Sequence, residues 1–157
     1  MTREDWMDRA LELAREAMAE GEVPVGCVIV WDGQIIGQGR NRRETARTAL
    51  GHAEVEAIAQ ACRSRNGWRL HKAELYVTLE PCPMCAGAII NARIPTVCYG
   101  AKDDKAGCCG SVLNLFEERF NHHPRVYGGV REEECGALLQ TFFQSLRRDD
   151  PADFTLF

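Results

Sequence analysis

His52-Ala53-Glu54 and, further along, Pro81-Cys82-Pro83-Met84-Cys85 are the stretches whose reading decides this chain. Together they offer an imidazole, two thiols and a carboxylate. Three protein ligands from His and Cys leave one tetrahedral position of a zinc ion open to water, which marks a catalytic site rather than a structural one. Two thiolates and a neutral imidazole cancel the charge of Zn²⁺, yet the ion still lowers the pKa of its water toward ~7. Glu54 is not needed as a ligand, and a carboxylate beside such a water can move protons.

The spacing fixes a local geometry. Cys82 and Cys85 are i and i+3, so at a helix start they share one side. Helix N-termini carry partial positive charge and unpaired N–H groups that favour thiolates. Pro81 suits such a position, where its missing N–H costs nothing. His52 and Glu54 would diverge inside a helix, so His52 is expected at a helix mouth. Two helix mouths then converge on one ion. Two other readings compete: a structural knuckle with Cys108 or Cys109 as fourth ligand, and a redox C-x-x-C pair. Neither accounts for His52-x-Glu54 at a separate helix start.

Outward from the motif, the hydrophobic pattern gives an element order of α-β-β-α-β-α-β-(α)-β-α. Thr2 to about Glu20 is amphipathic, and Thr2 with Asp5 makes a capping box. Gly26 to Trp31 and Gln34 to Gly39 read as strands joined at Asp32-Gly33, a two-residue hairpin signal. Ala53 to about Ser64 is helical, with Val55, Ile58, Ala59 and Cys62 on one face. Glu74 to Leu79 and Thr96 to Ala101 are strands around a small-residue helix over Cys82 to Ala92. Leu113, Leu115 and Phe116 belong to a short helix, Arg125 to Val130 to an edge strand, and Glu132 to Arg148 to an amphipathic helix. The tail from Asp149 reads as loose. A hairpin followed by strands alternating with helices implies an α/β fold, a mixed sheet covered on both faces.

The 157 residues fit one domain, 1–157, and no linker or repeat divides them. Charge of −4 and 45% hydrophobic content are ordinary for a globular protein. No apolar run approaches the ~20 residues of a membrane span, and the charged N-terminus lacks a signal-type stretch. The expected compartment is cytoplasmic, with no membrane partner. There the eight cysteines read as reduced thiols. Arg40, Arg42, Arg43 and Arg47 precede His52, and Lys102 and Lys105 follow a strand, so phosphate binding competes with plain surface charge.

H-x-E followed by P-C-x-x-C is the signature of zinc deaminases. With Glu22-Val23-Pro24-Val25-Gly26, Gly39-Arg40-Asn41, Gly107-Cys108-Cys109-Gly110-Ser111 with Asn114, Phe120-Asn121-His122 and Phe142-Phe143, the chain resembles the tRNA adenosine deaminase branch of the cytidine-deaminase-like superfamily, over nearly its full length. The resemblance implies a three-layer α/β/α fold with a central mixed five-stranded sheet, a homodimer, and one Zn²⁺ per subunit on His52, Cys82 and Cys85. It implies Glu54 as catalytic proton shuttle. It also implies substrate contacts by Val25, Asn41, Asp103 and Asn121, each of the polar ones having a local alternative as a turn, loop or cap residue. The implied reaction converts wobble adenosine in a tRNA anticodon stem-loop, with arginine tRNA the expected partner, to inosine. The alternatives are a deaminase of a free guanine- or cytosine-type base, and a non-catalytic zinc module. The acidic Asp149-Asp150-Pro151-Ala152-Asp153 segment departs from the basic ends of many relatives, so no RNA grip is expected from the tail.

Overall fold

In a computed structural model, the description covers residues 1–149; the acidic tail lies beyond them, apart from Asp149 at the end of the last helix. Four helices and five strands follow the expected order: α1 (Arg3–Ala19), β1 (Gly26–Trp31), β2 (Gln34–Arg40), α2 (Ala53–Arg65), β3 (Glu74–Leu79), α3 (Pro83–Asn91), β4 (Thr96–Ala101), β5 (Arg125–Tyr127) and α4 (Glu132–Asp149). The short helix is a single 3-10 turn, Leu115–Glu117. Leu113 falls outside it and is exposed. The edge strand is shorter than its apolar pattern suggested: it ends at Tyr127, and two glycines follow.

The sheet order is β2-β1-β3-β4-β5. β1 pairs antiparallel with both β2 and β3, whereas β3–β4 and β4–β5 are parallel. The β1–β2 hairpin turns at Asp32 and Gly33, both at positive φ, as a two-residue turn matched to strand twist requires. At the start of α1 the capping box is complete, with Asp5 N–H donating to Thr2 Oγ1 and Thr2 N–H to Asp5 Oδ2.

Alternation along the strands builds two cores. Cys27, Ile29 and Trp31 of β1, Leu75 and Val77 of β3, and Val97 and Tyr99 of β4 pack under α2 and α3. Val28, Val30, Tyr76 and Cys98 face α1 and α4 on the other side. The Arg131 guanidinium fastens the start of α4 to Asp8 of α1 through both carboxylate oxygens. The result is the three-layer α/β/α arrangement with a mixed five-stranded sheet.

Helix α2 turns a different face inward from the one its larger apolar residues suggested. Ala53, Ala57 and Ala61 are wholly buried, Ala59 is exposed, and Val55, Ile58 and Cys62 are half-buried. The cause lies in β2. Gly37 and Gly39 present no side chain to α2, and a Cβ on either would collide with the helix backbone. Only alanines fit so close an approach.

Candidate active site

Parallel β3 and β4 end at the same edge of the sheet, at which β1 begins. Ligands in such sheets bind beyond the carboxyl ends of the strands. The start of α3 follows directly from β3, and the start of α2 arrives there from the β2–α2 loop.

His52 is the N-cap residue of α2 and Cys82 that of α3, both with extended backbone. Neither side chain caps its own helix, although that is the usual use of a polar N-cap group. The two side chains meet instead. His52 Nδ1 lies 3.5 Å from Cys82 Sγ and 3.5 Å from Cys85 Sγ. The three donor atoms lie within 4.8 Å of one another, and these residues are the sole group of this kind among the described residues. Cys108 and Cys109 are buried but outside the group. Cys109 lends its N–H to Glu80, and the Cys108 thiol faces the Ala106 carbonyl.

The donor set suits a thiophilic divalent ion. The Cys85 thiol hydrogen-bonds to Cys82, which draws the Cys82 thiol down to about 4 and pushes Cys85 well up. Hydrogen bonding to Cys82 raises His52. A cation bound here would take the place of the protons on these sulfurs. One imidazole and two sulfurs fill three positions of a tetrahedron and leave one open.

Glu54 sits in the first turn of α2, buried, with its carboxyl hydrogen-bonded to Cys85. Burial pushes that carboxyl up to about 7. A carboxyl titrating near neutrality both takes and gives protons.

Above these groups opens a cleft of about 520 Å³. Val25 and Asn41 form part of one wall with Arg43, while Lys102, Asp103 and Lys105 form part of another, and Leu139, Phe143 and Arg147 of α4 contribute a third. Asn41 is buried and held by its own loop: Nδ2 donates to the Val23 carbonyl and Oδ1 accepts from Arg43 N–H. One amide hydrogen and one lone pair are left over for a ligand. Asp103 Oδ1 accepts the N–H groups of Lys105 and Ala106, closing its turn. Asn121 is exposed and does not line the cleft. Of the basic cluster before His52, Arg40 pairs with Glu20 at 2.7 Å and Arg42 with Glu56 at 3.4 Å; Arg43 lines the cleft and Arg47 does not.

A family model described as MafB19-like deaminase matches residues 1–147. A protein of Bacillus subtilis (strain 168) named tRNA-specific adenosine deaminase is 49% identical over 154 residues, covering 97% of this chain and 96% of its own. A protein of the same name from Agrobacterium fabrum is 44% identical over 149 residues, covering 94% and 98%. The chain belongs to the tRNA-specific adenosine deaminase family.

Solved structures agree with that placement. A chain from a study of A-to-I editing by tRNA:A34 deaminases superposes with a TM-score of 0.82 at 43% identity, covering 85% of this chain and 98% of its own. A guanine deaminase of Bacillus subtilis superposes less well, at 0.64 and 34% identity, covering 94% and 95%. The deaminase frame is therefore common to both, and the tRNA branch is the nearer of these two.

Sequence reasoning missed two residues on the cleft wall, Glu22 and Glu80, each buried. Burial alone would raise the Glu80 carboxyl. Hydrogen bonds from the Ser111 hydroxyl and from the N–H groups of Asp103, Cys109 and Ser111 more than reverse this and lower it. The available signal was their setting, an acid within Leu79-Glu80-Pro81 and another before Val23-Pro24-Val25. The contribution of α4 to the cleft had no local signal, because Leu139 and Phe143 also fit a core stripe.

Proposed function

We propose that this chain hydrolyses the wobble adenosine of a tRNA anticodon to inosine and ammonia. The observation that carries the reading is the three-donor group beside the buried Glu54 carboxyl, at the floor of a cleft flanked by Arg43, Lys102 and Lys105. Its relatives' names support the tRNA substrate.

His52 Nδ1, Cys82 Sγ and Cys85 Sγ would hold one Zn²⁺. When bound, zinc supplies the Lewis acidity that makes water nucleophilic at neutral pH. Glu54 takes a proton from the attacking water and passes it to purine N1 as the C6–O bond forms. It then takes the remaining proton from the new C6 hydroxyl and gives it to the amino group, so the C6–N bond breaks, ammonia leaves and C6 becomes the carbonyl of inosine. Val25 packs beside the base, and the free valences of Asn41 hold its edge. Asp103 and Asn121 contact the RNA near the turned-out nucleotide. Anticodon loops are single-stranded, so turning the base out costs little, and recognition combines phosphate contacts with exposed base edges.

The remaining assignments belong to the same proposal: a single domain spanning 1–157, a homodimer, arginine tRNA as substrate and a cytoplasmic location. No helix among the described residues is long and apolar enough to cross a membrane.

A substrate panel tests the reading. The zinc-loaded protein should convert the anticodon adenosine of an arginine tRNA transcript, scored as guanosine on sequencing, and release no ammonia from free guanine or cytosine. Ammonia from a free base with unchanged tRNA would assign the site to the small-substrate class instead.

A further inference from the structure

We propose that Glu22 and Glu80 are positioning residues, two buried carboxylates that hold the basic loops on either side of the cleft in the shape an RNA backbone requires. The inference rests on the tRNA reading above and extends it to residues outside the reacting groups.

Glu22 is 1% exposed and Glu80 2% exposed. Neither has a cationic partner within ion-pair distance among the described residues. Both are satisfied by groups of one loop each. Glu22 Oε1 accepts Glu44 N–H at 3.1 Å, and Oε2 accepts Thr45 N–H at 2.6 Å. Those amides follow Arg43 directly. Glu80 Oε1 accepts Asp103 N–H at 3.1 Å and the Ser111 hydroxyl at 2.5 Å, while Oε2 accepts Cys109 N–H at 2.9 Å and Ser111 N–H at 3.2 Å. The loop between those amides carries Lys105, and Lys102 directly precedes it. Gly107 lies so close that a Cβ there would overlap the Glu80 carboxylate.

Burying a carboxylate without a cation opposes folding, and an apolar side chain of similar size is the more stable choice for simple packing. What each carboxylate gives in return is loop order. The chain leaves its regular elements at both places, and no strand ladder supplies these amides with partners. Arg43, Lys102 and Lys105 keep exposed side chains on backbone that is anchored from below. Prior ordering lowers the entropy lost when a ligand is bound, so the effect belongs to RNA binding rather than to the chemical step. Glutamine cannot replace Glu80 fully. Its amide nitrogen must face either Asp103 N–H with Ser111 Oγ, or two backbone donors, and at least one N–H loses its acceptor.

The test uses the zinc-loaded full chain and a synthetic anticodon stem-loop. Glu22→Gln and Glu80→Gln are each expected to raise KM about 10-fold while kcat stays within about 3-fold. Metal content should stay at the wild-type level, and amide hydrogen exchange should quicken in 42–47 or 102–111 respectively. Ser111→Ala removes one of the hydrogen bonds and leaves the carboxylate, so it should show a smaller rise in KM. Glu80→Asp keeps the charge and should recover part of the loss. If Glu80→Gln does not fold, Glu22→Gln and Ser111→Ala decide by the same readouts. An unchanged KM in Glu22→Gln and Ser111→Ala overturns the proposal, as does a loss confined to kcat that tracks loss of metal. Failure of the wild type on the stem-loop would instead defeat the tRNA reading, so the two failures are distinct.

Discussion

Gly39→Ala should damage catalysis without touching any group in the cleft. The added methyl would fall inside the contact envelope of the Ala53 carbonyl oxygen and lie 2.9 Å from both Ala57 N and Glu56 Cβ. These are atoms of the helix α2 backbone and its root, which cannot rotate away. Relief requires α2 to lift from β2 by on the order of 1 Å. Ala53 lies between His52 and Glu54, so the shift passes straight to a proposed metal ligand and to the proposed proton shuttle. A misplacement of about that size costs roughly 100-fold in rate, and overpacking costs about 1–3 kcal/mol of stability. Gly136→Ala is the control: it sits in α4 with no atom within 4 Å of the new methyl, and should gain about 0.5–1 kcal/mol with activity unchanged. Calorimetric Tm and zinc-saturated kcat/KM on the stem-loop are the assays. A Gly39→Ala protein that loses Tm but keeps kcat/KM within about 2-fold would refute the claim that this close approach sets the site.

Other outcomes follow from the same geometry. Chelation should abolish turnover and added zinc restore it, whereas Cys85→Ser should not recover at stoichiometric zinc, because a hydroxyl replaces a thiolate in the donor set; full recovery in Cys85→Ser would remove Cys85 from the ligands. Stem-loop affinity should fall steeply as salt rises, and Lys102→Ala should flatten that slope by about one counterion; an unchanged slope would deny Lys102 a phosphate. In metal-free protein Glu54 holds its proton up to about 7 because of burial. Its folded pKa lies above the ordinary carboxylate value of about 4.3, so its contribution to stability is fully present below that value and lost as pH rises through about 7. Metal-free wild type should lose Tm over this window relative to Glu54→Gln, and parallel Tm curves would contradict the burial argument.

The metal group was legible in the sequence because its chemistry constrains its spacing. His52-x-Glu54 makes sense only at a helix mouth, and the structure has His52 as N-cap. The first strand was legible as a compact apolar run, Gly26 to Trp31, closed by the Asp32-Gly33 turn, whereas which of its residues face which helix layer came only with the fold. The face of α2 was not, because which residues go inside depends on Gly37 and Gly39 of a neighbouring strand. Large apolar residues look like core until the partner surface is known to have no room for them. Glu22 and Glu80 were hidden for the opposite reason. Charge predicts a solvated surface, and only the tertiary arrangement shows the donors gathered around each carboxylate. Asn41 shows a third limit: a residue read as a base contact also serves as a turn, and both uses share one amide.

Glu54 is the group proposed to move protons beside the His52, Cys82 and Cys85 donors. Single-turnover formation of inosine in an anticodon stem-loop, measured for wild type and Glu54→Ala with metal content determined on the same samples, tests it. The expected result is full metal occupancy in both and a rate lower by about 10²–10⁴-fold in the variant. Near-normal inosine formation by a fully metallated Glu54→Ala protein would contradict it.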